Sequence, residues 1–74
     1  MRYYRVRNKK GQIAAEISDK GLSVHDQTLS GNLHQMKQEG GIPLGEGEGR
    51  AWTTDAILNF VKANGYTVEV KEDS

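Results

Sequence analysis

Residues 52–70, W-T-T-D-A-I-L-N-F-V-K-A-N-G-Y-T-V-E-V, contain a helix start, a helix stop and a change of period in one short run. Thr53 is a good N-cap, because its hydroxyl can accept one of the amide protons left unpaired in the first turn. Asp55 then falls at the second helical position, where its charge favours the positive end of the helix dipole. The same cap sets Trp52 and Ile57 at the spacing of a hydrophobic staple. Ala56, Ile57, Phe60, Val61 and Asn64 run down one side, Leu58 widens the stripe, and Asn59 and Lys62 face water. Asn64-Gly65 offers a residue that tolerates positive φ, and Tyr66 is placed to close over Val61 in a Schellman arrangement. The period then drops from 3.6 to 2. Tyr66, Val68 and Val70 alternate with Thr67, Glu69 and Lys71, the pattern of a strand with one buried face.

The N-terminal residues supply partners for that strand. In residues 2–7, Tyr4 and Val6 are expected to face inward, and Tyr3, Arg5 and Arg7 outward. A turn over 8–12 uses Gly11, and a second strand over 12–18 points Ile13, Ala15 and Ile17 inward and Gln12, Ala14 and Glu16 outward. Opposite charges on the outer face, Arg5, Arg7 and Lys71 against Glu16 and Glu69, suit cross-strand pairing. Asp19-Lys20-Gly21 is a further turn, and Leu22 to Val24 extends the hairpin into a meander. Ser30 is the expected cap of a first helix carrying Leu29, Leu33 and Met36 on one side and ended by Gly40-Gly41, with Pro43 beyond. Gly31 and the polar content make that helix dependent on packing.

Residues 40–50, G-G-I-P-L-G-E-G-E-G-R, hold five glycines and read as a mobile or sharply turned loop, tacked to the core by Ile42 and Leu44. The expected fold is α+β: a small antiparallel sheet, made of an N-terminal hairpin or meander plus a C-terminal strand, with two helices packed on one face. It forms a single domain over 1–74, with about 71–74 a frayed tail.

Seventy-four residues of which 26 are apolar, five of them alanine, make a small core, and a chain of this size buries only roughly 60% of its unfolded surface. A homodimer through the sheet edge is one way to add to that core, so monomer and homodimer both stand. The chain has no cysteine, hence no disulfide and no thiolate metal site. It has no apolar run of membrane-spanning length and no signal peptide, so a cytoplasmic protein without a membrane is expected. The net charge is zero but divided. Residues 1–38 carry seven Lys/Arg against three Asp/Glu, and residues 39–74 the reverse. Two halves folded against each other would neutralise that split.

The motifs exclude more chemistry than they support. G-E-G-E-G at 45–49 precedes a helix start, as phosphate loops do. It lacks the following Lys-Ser/Thr, and Glu46 and Glu48 would repel a phosphate. His25-Asp26 is too short a pair for a metal centre and, beyond His34, no further Cys or His can complete one, and Ser18, Ser23 and Ser30 lack the setting of a nucleophile. No catalytic residues, metal or cofactor are assigned. The expected function is a non-catalytic protein-interaction module, of the accessory, regulatory or phage-type kind, with Glu46, Glu48 and Arg50 contacting a protein partner. The alternative is nucleic-acid binding. R-Y-Y-R-V-R-N-K-K puts basic and aromatic residues on one strand, and Tyr3, Arg5 and Arg7 share a face able to stack on bases and meet phosphates. Trp52, a residue type favoured as a binding anchor, is assigned to the staple.

Overall fold

A computed structural model describes residues 2–72. The element order is β1 (Arg2–Arg7), β2 (Ile13–Ser18), β3 (Gly21–Val24), α1 (Gln27–Gln38), β4 (Ile42–Gly45), β5 (Gly49–Ala51), α2 (Thr54–Ala63) and β6 (Thr67–Glu72). Strands β1, β2, β3 and β6 form an antiparallel sheet in the order β3-β2-β1-β6, and β4-β5 form a separate two-stranded sheet. The architecture is α+β. The core joins Val6, Ala14, Ala15 and Ile17 of the sheet to Leu29 and Leu33 of α1, Ile42 of β4, and Ala56, Ile57, Leu58 and Val61 of α2. No helix is long and apolar enough to cross a membrane among the described residues.

The second helix forms where its caps require. The Thr53 hydroxyl accepts from the Ala56 N–H at 3.1 Å. At the other end the Tyr66 N–H donates to the Val61 carbonyl at 3.0 Å and the Gly65 N–H to Lys62 at 3.3 Å, with Gly65 at φ +89°. Those two bonds are the Schellman pair, and they turn the chain directly into β6. Trp52 is half-buried against the core, with the Lys37 ammonium 5.6 Å from its ring centroid.

The first helix starts earlier than Ser30. Asp26 is the N-cap, its carboxylate accepting from the Leu29 N–H at 3.1 Å. Both residues are competent caps; the sheet decides between them. The N–H groups of His25 and Asp26 both donate to the Ala14 carbonyl, at 2.7 and 3.1 Å, which fixes Asp26 at the end of β3. The helix then runs four residues longer at its start, and Leu29 and Leu33 are buried as their spacing requires. Its stop is a second Schellman pair, Gly41 N–H to Met36 at 2.8 Å and Gly40 N–H to Lys37 at 3.2 Å.

The inward residues of β2 also differ from expectation. Ala15 and Ile17 are buried, but Ala14 is buried too, and Ile13 is 39% exposed. The cause is a bulge: Val6 pairs with Ala15 and Arg7 with Ile13, so Ala14 is an extra residue in β2. Inserting one residue resets the alternation, and two alanines are small enough to lie side by side on the inner face. On β6, Val68 is half-buried, whereas Val70 is 58% exposed although it shares the inner face. It pairs with Tyr4 near the sheet's end, a row that the helices leave partly open. Residues 71 and 72, expected in a frayed tail, instead belong to the strand. Lys71 and Glu72 continue β6 opposite Tyr3 and Arg2, and 73–74 lie outside the described residues.

Residues 40–50 form a hairpin rather than a loop. Ile42 pairs with Ala51 and Pro43 with Arg50, then the register shifts and Gly45 faces Gly49. The Glu48 N–H donates to the Gly45 carbonyl at 3.2 Å and closes the turn. The base of the hairpin is tight: a Cβ on Gly41 would lie 2.6 Å from the Ala51 carbonyl carbon, and φ there is +122°. Only glycine permits both that backbone and that approach. Ile42 is buried as expected, but Leu44 is 45% exposed and does not hold the segment to the core.

Candidate functional site

Hairpin β4–β5 gathers the residues first expected at a partner surface, Glu46, Glu48 and Arg50, but separates their roles. Arg50 is held at the base. Its Nη1 donates to the Gly41 carbonyl at 3.1 Å and lies 3.6 Å from Glu39 Oε1 at the end of α1. It ties the hairpin to the first helix through Nη1, while the side chain stays 40% exposed. Glu46 and Glu48 are exposed at the tip. Among the described residues neither has an ion-pair partner.

Beside the hairpin runs a groove of about 340 Å³, lined chiefly by Met36 of α1, Ile42, Pro43 and Leu44 of β4, and Phe60 and Ala63 of α2. Its lining is mainly apolar, and Leu44 stands at its open side. The groove is not legible in the sequence. Its only local signal was a leucine beside a proline inside a glycine-rich polar stretch, which reads equally well as an anchor to the core.

The second set, Tyr3, Arg5 and Arg7, shares the outer face of the sheet as the alternation required. Its cations are already engaged. Arg5 Nη2 lies 3.5 Å from Glu16 Oε2 and donates to the Tyr3 hydroxyl at 3.3 Å, with the guanidinium carbon 5.8 Å from the Tyr3 ring centroid. Arg7 donates through Nε to Glu69 and through Nη1 to the Gly11 carbonyl. The Arg7 hydrogen bond, reinforced by Lys71, holds the Glu69 carboxyl below its ordinary range. Bases or phosphates approaching this face would meet two carboxylates set among the three cations.

His25 Nε2 sits 3.7 Å from Glu16 Oε1, and His34 is exposed on α1. No group of three or more His, Cys, Asp or Glu able to hold a metal occurs among the described residues. A depression of about 430 Å³ lies between the β1–β2 turn and the end of α2, lined by Asn8, Lys9, Lys10, Asp26, Asn64 and Tyr66 among others. Burial there, with the nearby Asp26 charge, pushes the Tyr66 hydroxyl upward. No protein family, curated protein or solved structure matches this chain.

Proposed function

We propose that the protein is a non-catalytic interaction module that receives a basic, partly apolar segment of another protein on hairpin β4–β5 and its groove. The observation that carries this reading is the contrast within the hairpin. Arg50 locks the base to Gly41 and Glu39, while Glu46 and Glu48 stand at the tip beside exposed Leu44 without an ion-pair partner among the described residues. A rigid base with an apolar wall and a free acidic rim suits a segment that buries large side chains in the groove and sets Lys or Arg against the rim.

Selection from a random peptide display library tests it. Enriched peptides should combine large apolar residues with Lys or Arg. Their binding should weaken at least about tenfold, roughly 1.4 kcal/mol, in both Leu44→Asp and the double variant Glu46→Lys/Glu48→Lys. Circular dichroism checks that both variants remain folded. Enriched peptides indifferent to both variants would remove the hairpin from the reading.

Nucleic-acid binding through Tyr3, Arg5 and Arg7 has less support, because Glu16 and Glu69 already neutralise the two arginines. It requires an electrophoretic shift that weakens steeply with added salt.

A further inference from the structure

The sheet order β3-β2-β1-β6 leaves β3 and β6 as edges. Strand β3 is short, four residues beginning at Gly21. Strand β6 has six residues, and Val70 within it is the most exposed of the large hydrophobic side chains among the described residues.

The direction of the free backbone groups of β6 follows from the pairing. The Ala14 carbonyl accepts from His25 and Asp26, so Ala14 turns its polar groups toward the β3 side. Glu16 and Ser18, paired with Ser23 and Gly21, belong to the same set. Alternation along β2 then turns Ala15 and Ile17 toward β1, and their partners Val6 and Tyr4 toward β2. Tyr3, Arg5 and Arg7 are left to bond β6, through Lys71, Glu69 and Thr67. The main-chain N–H and C=O of Val68, Val70 and Glu72 therefore point to the open edge.

We propose that β6 pairs antiparallel with β6 of a second copy of this chain about a two-fold axis through Val70, joining two four-stranded sheets into one of eight strands. In this register the two Val70 residues exchange both main-chain hydrogen bonds, and Val68 pairs with Glu72 of the second copy on either side. Glu69 lies opposite Lys71 of the second copy, twice, so the Lys71 ammonium, 3.4 Å from Glu69 of its own chain, stands between two carboxylates. These are the non-hydrogen-bonded positions, where opposite Cα atoms approach to about 4.5 Å. The two charge pairs form on the outer face, while the Val70 side chains meet on the inner face and leave water.

The side chains select this register from its neighbours. An axis through Glu69 would set Glu69 against itself, and an axis through Lys71 would oppose two lysines. An axis through Val68 would leave Glu69 opposite Thr67, with no opposite charge. Charges on an edge strand commonly discourage pairing; the run E-V-K, read against itself in reverse, makes them complementary. A strand pair this short buries less than the about 1,200 Å² of a standard interface, so association should depend on concentration.

The natural chain has no cysteine, which allows single-cysteine variants to read the register. At the axis the Cα separation of about 5.5 Å suits a disulfide. Val70→Cys should therefore oxidise to a covalent dimer. Glu69→Cys places its two thiols on opposite sides of the axis, offset by about 7 Å along the strands beyond their lateral spacing, and should cross-link at least about tenfold more slowly. Sedimentation equilibrium supplies the second arm. The natural chain should associate below about 1 mM, and Lys71→Glu, which opposes Glu69 with a carboxylate, should weaken association at least about tenfold. Equal cross-linking at both positions, an unchanged dimer in Lys71→Glu, or a natural chain that stays monomeric throughout that range would each overturn the proposal.

Discussion

Two of the molecule's hairpins, β1–β2 and β4–β5, handle charge in opposite ways. In β1–β2 the arginines are matched on their own sheet: Arg5 with Glu16, Arg7 with Glu69 on β6, and Arg2 with Glu72 at 2.9 Å. In β4–β5 a single arginine is turned back to the base, and the two tip glutamates are unmatched among the described residues. The difference also extends to burial. The first hairpin contributes Val6, Ala14, Ala15 and Ile17 to the core, whereas the second contributes Ile42 alone. One hairpin is therefore scaffold. The other is anchored at one end and keeps its remaining side chains exposed, and this contrast underlies the functional reading.

The two hairpins should differ most under truncation. Ile17→Ala in β2 should cost about 2–5 kcal/mol, as deletion of a buried isoleucine side chain does. Leu44→Ala in β4 should change stability by no more than about 0.5 kcal/mol. Urea denaturation of the two variants measures the difference, and equal losses would show that β4 is as much a part of the core as β2.

A smaller effect is expected at the mooring of the second hairpin. Gly41→Ala meets the Ala51 backbone and a positive φ together. It should lower stability by about 2–3 kcal/mol, by strain and overpacking. Amide exchange should show the loss concentrated in β4 and β5, with β1 and β6 retaining their protection.

The smallest effect concerns the matched charges. The Arg7 hydrogen bond holds the folded-state Glu69 carboxyl below the ordinary 4.5. Its contribution to stability is therefore fully present above the unfolded-state value and disappears as pH falls through the folded-state value. Urea midpoints for the natural chain and Glu69→Gln should differ near neutral pH and converge in acid. The side chains are more than a third exposed on the Glu69 side and a third on the Arg7 side, so the difference should be modest and should shrink with added salt. A gap that persists in acid would assign the effect of Glu69 to packing.

Much of the fold was legible in the sequence because many of its devices are local. The Thr53 cap, the Gly65 Schellman stop and the alternation of β6 each involve residues within a few positions of one another. The candidate site was legible only in part. Glu46 and Glu48 were identifiable as acidic tip residues, but the groove beside them joins Met36, Leu44 and Phe60 from three separate elements. No spacing rule links those positions. Arg50 reads as a free cation until the Gly41 carbonyl and Glu39 are set beside it.

The sequence by itself determined where α2 starts and stops and that a strand follows it. Hydrogen bonds closed within one helical turn, and side chains repeating with the backbone's own period, suffice for that. Tertiary structure decided the rest. The Ala14 carbonyl, by accepting from His25 and Asp26, made Asp26 rather than Ser30 the cap of α1. Pairing with β1 set the bulge that buried Ala14 and exposed Ile13. The close approach of Gly41 to Ala51, with Arg50 reaching back to α1, turned a glycine-rich run into an ordered hairpin. In each case alternatives of similar local energy were available, and a contact from a residue distant along the chain separated them.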